Sequence, residues 1–318
     1  MTSAQAYALI SSPTAISMMT GVFHFMAISL GVILACCKLG FLPGAVNQEP
    51  PQFGPSSLIA VVRLLFLACP LLGVPAHRSH AAENPDSRFA VLVYSKTSGF
   101  RHDSIPQGIA AIRALGTENG FAVDETEDAK HFNDTALGKY KVVIFLNTTG
   151  DILDLGQKAA FERYVRSGGG FVGIHSASDT EYQWPWYGRL IGAWFASHPA
   201  IQHATVRIED PTDLSTKLLP SQWERVDEWY NFRRNPRGDV RVLAALDETT
   251  YSGGTMGFDH PIAWCQSIER GRSWYTAMGH TSESYAEPLF RLHLLGGIES
   301  AADPNRGCRA PSKGGQVD

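Results

Sequence analysis

Gly168-Gly169-Gly170-Phe171-Val172-Gly173-Ile174-His175-Ser176-Ala177 is a glycine-led apolar run that ends on a histidine. A buried parallel strand reads as a short uninterrupted apolar segment, and open α/β sheets bind ligands beyond the carboxyl ends of such strands. The run therefore predicts a central strand over 171–174 with His175 at the edge of a site. On its N-terminal side, residues 89–95 read as a first strand leading into a polar loop at 96–103. A helix follows, with Ser104 and Gln107 spaced as a capping box and Ile105, Ile109 and Ile112 on one face. Residues 121–124 form a short edge strand, and 142–146 a strand apolar enough to be buried on both faces. Asp154 opens a helix whose Phe161, Tyr164 and Val165 share a stripe, ended by the glycines from Gly168. Strands alternating with helices in this order imply right-handed crossovers and a mostly parallel central sheet between two helical layers, an α/β three-layer sandwich.

The later half changes character. Residues 205–209 and 240–246 read as strands, and 261–268 with 273–278 as a hairpin turning at Glu269-Arg270-Gly271. A last helix over about 285–300 offers Leu289, Leu292 and Leu295 to the core. Residues 303–318 are polar, with Pro and Gly, and read as a mobile tail.

Six segments in order resemble the ThuA-like (trehalose-utilisation) family: Ser98-Gly99-Phe100-Arg101-His102, Gly173 to Thr180, Trp184-Pro185-Trp186-Tyr187, Asp227 to Phe232, Asp259 to Trp264, and Gly279-His280-Thr281. The resemblance runs from about Phe89 to Ala302, two thirds of the chain. It implies a flavodoxin-like, class I glutamine amidotransferase-like fold and a link to disaccharide use. Amidotransferases of that fold carry Gly-Ile-Cys-x-Gly at the turn after the strand. The matching positions here are Gly173, Ile174, His175, Ser176 and Ala177, so the thiol is missing. With no ammonia-accepting domain following, amidotransferase chemistry is disfavoured.

The 318 residues, 44% of them hydrophobic, suffice for one large core plus an appended segment. A formal charge of −4 argues against a nucleic-acid partner, which would call for a basic face. Residues 1–84 read as an export or anchor region. Two readings stand for it. Residues 15–37 carry no Asp, Glu, Lys or Arg and are long enough to cross a bilayer, so the membrane is met only through this segment. Residues 62–81, with Arg63, an apolar run and Ser79-His80-Ala81, have the layout of a signal peptide behind a start placed too far upstream. Both put a folded domain at 85–302 outside the cytoplasm, periplasmic or extracellular. Cys265 reads as a small buried hydrophobe, and pairing with Cys308 across a strand and a polar tail is not expected.

Loops after the strands bring Ser98, Arg101 and His102, then Asn147 and Thr148, then His175 and Asp179 to one edge. His198, Asp227, Glu228, His260 and His280 join them by resemblance. The candidate catalytic groups are His175, His102, Glu228, Asp179, His260 and His280, because histidine is the acid/base that works near neutral pH. Each has a structural rival, from a strand-end tether at His175 to a turn-fixing role at His260. Adjacent acids on a strand face opposite ways, so only one of Asp227 and Glu228 points into the site. Ser98, Arg101, Asn147, Trp184, Trp186, Tyr187, Trp229 and Tyr230 are candidates for substrate binding, the aromatic ones as platforms for sugar rings. Trp194, Trp264 and Trp274 read as core, and His131, His203 and His293 as structural. A zinc or other divalent site drawn from His102, His175, His198, His260 and His280 is weakly supported, because no short-range His-Glu-x-x-His pair appears. Two functions compete: a small-molecule carbohydrate enzyme using His/carboxylate acid–base chemistry, and a non-catalytic carbohydrate-binding or complex-forming module on the same fold.

Overall fold

The computed structural model describes residues 87–306 and 308. The expected export or anchor region, with its segments 15–37 and 62–81, lies outside the described residues, as does 309–318. Among the described residues no helix is long and apolar enough to cross a membrane.

The chain alternates β1 (Ala90–Tyr94), α1 (Ile105–Asn119), β2 (Ala122–Thr126), a short α2 (Asp134–Leu137), β3 (Val142–Leu146), α3 (Leu155–Arg166) and β4 (Gly170–Ile174). It continues through α4 (Pro185–Ile191), β5 (Phe195–Ser197), β6 (Gln202–Ile208), β7 (Gln222–Asp227), β8 (Asn231–Phe232), β9 (Arg241–Leu246), β10 (His260–Ile268), β11 (Gly271–Thr276) and α5 (Pro288–Ala302). Nine strands form one sheet in the order β2-β1-β3-β4-β11-β10-β9-β6-β7. The five from β2 to β11 run parallel, with Leu146 opposite Ile174 and Ile174 opposite Thr276. The remaining four extend the sheet antiparallel from β11. The order 2-1-3-4 is the flavodoxin-like one, and the expected α/β class with a parallel centre is what the chain adopts.

Helices cover both faces. Leu146 meets Gly108 of α1, and Gly170 lies under the Ala301 carbonyl of α5. On the opposite face Phe145 stacks on Phe161 of α3 at 5.4 Å, and Gly173 lies against Ile191 of α4. The β3 and β4 strands are buried throughout, which is why they read as unbroken apolar runs.

Several details depart from the sequence reading. Ser104 stands at the start of α1 without capping it; its hydroxyl takes Asn147 Nδ2 at 3.0 Å instead. The capping box forms at α3, where Asp154 accepts from the Gln157 backbone and Gln157 returns the bond. On α5 the buried stripe is Phe290, His293, Leu294, Gly297, Ile298 and Ala301, while Leu292 is exposed. Glycines decide that face: any Cβ at Gly296 would strike the Leu214 carbonyl, and at Gly297 the Trp274 ring, so only glycine lets the helix dock so closely. The tail expected from 303 onward is tied down at Cys308, which is buried and disulfide-bonded to Cys265 with Cα atoms 5.7 Å apart. Cys265 is therefore a bridge residue and not merely the small buried hydrophobe that its apolar strand suggests.

Burial also makes His293 acid-sensitive. It lies between the Ser215 carbonyl at 2.9 Å and Thr276 Oγ1 at 3.2 Å, and burial holds its pKa down from 6.5 to about 4. The unfolded chain binds the proton first, so stability is complete above pH 6.5 and is lost as pH falls toward 4. A shift of this size corresponds to about 3 kcal/mol. Urea midpoints at pH 7 and 4.5 should fall less for His293→Gln than for the parent; parallel falls would contradict this.

Candidate functional site

His175 is where β4 ends and a 3₁₀ turn, His175–Asp179, begins, and its φ is +50°. Left-handed backbone at a non-glycine residue costs about 1–3 kcal/mol and persists only where the surroundings over-determine it. Here Tyr275 of β11 clamps the turn, its hydroxyl donating to the His175 carbonyl at 2.8 Å and meeting Ser178 Oγ at 2.9 Å. The imidazole Nδ1 lies 2.7 Å from the Ala277 carbonyl. A carbonyl only accepts, so Nδ1 carries a hydrogen and, in the neutral ring, Nε2 presents a lone pair. The Tyr230 ring packs on the imidazole with centroids 4.2 Å apart.

Three further groups converge on that lone pair. His280 Nδ1 is 3.1 Å from His175 Nε2. Glu228 Oε2 is 3.0 Å from His280 Nδ1 and 3.5 Å from His175 Nε2. His102, from the loop after β1, stands edge-on to both rings with centroids 4.9 Å from each, its Nδ1 3.4 Å from Ser176 Oγ. Donor atoms of His102, His175, Glu228 and His280 all lie within 4.8 Å of one another. The second Glu228 oxygen meets His198 Nδ1 at 2.9 Å. Side-chain exposure rises from 0% at His175 through 8% at Glu228 and 19% at His280 to 43% at His198, so the cluster opens to solvent on the His280–His198 side.

The two adjacent acids divide their work. Asp227, the last residue of β7, is fully buried, and its carboxylate is taken up by backbone and arginine. It accepts from the backbone N–H groups of Gly279 at 2.8 Å and His280 at 3.0 Å, and pairs with Arg225 at 3.0 Å. With Gly279 at φ +110°, this fixes the turn that presents His280. Glu228 points into the cluster.

The electrostatics separate the members. Burial, with the neighbouring His175 and His280, pushes the His102 pKa down to about 2, so this ring is neutral near pH 7. Burial works to raise Glu228, but the adjoining His175 and His280 imidazoles prevail and hold it well below the carboxylate range. The same partnership raises His280 against the opposing effect of its burial.

The other candidates lie elsewhere. His260 is buried with Nδ1 on Glu248 and Nε2 on the Tyr230 carbonyl at 2.8 Å each, so it supports the strand behind Tyr230 and is not in the cluster. Asp179 bonds Tyr182 at 2.5 Å, and burial raises its pKa. Trp184, Trp186 and Tyr187 are buried among Phe161 and Phe171, and Trp229 donates to the Gln202 carbonyl; none presents a face to solvent at the cluster. Ser98 bonds the Asp151 carbonyl, Arg101 pairs with Glu127, and Asn147 is buried on Ser104. The exposed aromatic ring beside the cluster is Phe100, 67% exposed and 4.9 Å from His102 edge-on. Its place beside His102 in a polar loop was the one available signal. Tyr275 gave none, hidden within an apolar strand.

A flavodoxin-like sheet with a strained elbow at the end of its central strand defines a class I amidotransferase-like scaffold in which imidazole replaces the thiol. The family model described as ThuA, trehalose utilisation, matches residues 90–301, and the chain belongs to that family. It is similar to a ThuA-like protein from Bacteroides uniformis, with 27% identity and a TM-score of 0.59 over 69% of this chain and 93% of that one. A ThuA-like protein from Parabacteroides merdae aligns with 20% identity and the same TM-score over 70% of this chain and 93% of that one. No curated protein matches the chain.

Proposed function

We propose that this chain is an exported enzyme that transforms a disaccharide or an oxidised sugar derivative by proton transfer, without a cysteine nucleophile. The observation that carries this reading is the meeting of His102, His175, His280 and Glu228 at the elbow. Gathered at one point, these imidazoles and the carboxylate are the groups that move the proton. The family's description supports the carbohydrate class. The Cys265–Cys308 bridge supports an oxidising, extracytoplasmic setting.

Phe100 is the sugar platform in this reading. Phe100→Ala should raise KM about 5- to 20-fold with kcat little changed, the loss of roughly 1–2 kcal/mol of ring contact. An unchanged KM would remove the platform. The function itself is tested by proton NMR of trehalose, other disaccharides and their oxidised derivatives incubated with the protein and with Glu228→Gln. Conversion of one sugar by the parent and not by the variant is expected; no conversion of any would refute an enzyme on this substrate class. The missing thiol favours one second reading, a non-catalytic sugar-binding module, which binding without conversion in the same spectra would select.

A further inference from the structure

We propose that His175 Nε2, His280 Nδ1 and Glu228 Oε2 form a binding site for one divalent ion of the zinc class, with an open position on the side of His102. The inference rests on the placement of the site above and not on its substrate.

The three atoms are separated by 3.1, 3.0 and 3.5 Å. An ion about 2.0–2.2 Å from nitrogen and oxygen ligands in tetrahedral geometry sets its ligands about 3.4 Å apart. The observed edges already have that size. The chemistry of the atoms agrees with the spacing. With Nδ1–H of His175 committed to the Ala277 carbonyl, its Nε2 lone pair faces a carboxylate oxygen at 3.5 Å. Two acceptors turned toward one another repel unless a proton or a cation lies between them. A divalent ion satisfies all three donors at once.

The surroundings hold these ligands as metal ligands are held, by their outer atoms. The Ala277 carbonyl fixes the ring of His175, the Asp227 carboxylate fixes the backbone of His280, and His198 holds the second oxygen of Glu228. The ligands come from the residue after β4, from the residue after β7 and from the loop after β11, which is why no local spacing motif announces them. Two imidazoles and one glutamate are a donor set used at catalytic zinc sites, where the fourth position takes water or substrate. His102 donates to neither imidazole nor carboxylate, yet its donor atom lies within 4.8 Å of the other three, beside that position. With an ion in place, His102 is the proton-transfer group that remains free.

The test uses the purified protein stripped with a chelator, then titrated with Zn²⁺ and with Co²⁺. One equivalent per chain should bind, and Co²⁺ should show the intense visible bands of a four-coordinate site. His280→Ala and Glu228→Gln should weaken binding more than about 100-fold, beyond the roughly 10–100-fold that outer-shell partners carry; His198→Ala should fall within that lower range. His102→Ala should keep the metal, and so should His203→Ala, a surface control. Circular dichroism identifies any variant that has not folded, and two ligand variants guard against losing one. Failure to bind one equivalent, pale octahedral Co²⁺ spectra, or ligand variants that bind like the parent would overturn the proposal. Sugar conversion by metal-free protein would overturn a catalytic ion while leaving the carbohydrate reading intact. One bound equivalent in a protein that converts no sugar would support the ion and count only against that reading.

Discussion

His175→Ala loses turnover by about 10²–10⁴-fold, the contribution of the acid–base groups that it holds in place. The size follows from what the residue holds together. Its imidazole meets His280 at 3.1 Å and Glu228 at 3.5 Å, and its ring supports Tyr230 at 4.2 Å. Alanine removes the common contact of the other members. It leaves the strand pairing intact, because β4 is held by backbone bonds to β3 and β11. The loss therefore falls on kcat in a protein that still folds, with a melting temperature lowered by the buried contacts the ring gives up. The surface histidine His203, paired with Glu224 on the sheet edge, gives the control: His203→Ala should keep full turnover. Measuring kcat and thermal midpoint on both variants decides it; a His175→Ala protein that is folded and active would contradict the role.

Breaking the Cys265–Cys308 bridge gives the largest stability loss. The bridge closes a loop of 43 residues. By the chain-entropy relation such a loop contributes about 4 kcal/mol, within the usual range of 2–4 for disulfides in practice. Cys308→Ser, or reduction with dithiothreitol, should lower the urea unfolding free energy by that amount. Among the described residues no free thiol remains, so iodoacetamide on the unreduced protein should leave turnover untouched. A bridge variant as stable as the parent would contradict the first expectation. Complete inactivation by iodoacetamide with the fold intact would contradict the second.

The parallel half was legible in the sequence because doubly covered strands are apolar at every position, as 142–146 and 171–174 are. That pattern also located His175. The antiparallel half was harder to read. In β7 the inward positions are Trp223, Arg225 and Asp227, while Val226 faces solvent, so its period of two is present but its polarity is reversed by the buried Arg225–Asp227 pair. The stripe on α5 was misread because two glycines, not leucines, make the close contact. Aromatic content was seen but not its direction, since Trp184, Trp186 and Tyr187 at sequence level fit a core as well as a platform. The residues that meet at the cluster stood among the candidates, yet nothing in their spacing chose His280 over His260. That choice depends on Asp227 holding the 279–280 turn, a contact across 53 positions. The disulfide escaped for a similar reason: proximity of residues 265 and 308 is a property of the fold.

The proposed function puts substrate at the His102–His175–Glu228–His280 cluster. A crystal of Glu228→Gln soaked with the sugar that the parent converts tests it most directly. The sugar ring is expected against Phe100, with a hydroxyl or carbonyl oxygen directed at His102 and His280. A sugar bound with full occupancy elsewhere on the molecule, with this cluster untouched, would contradict it.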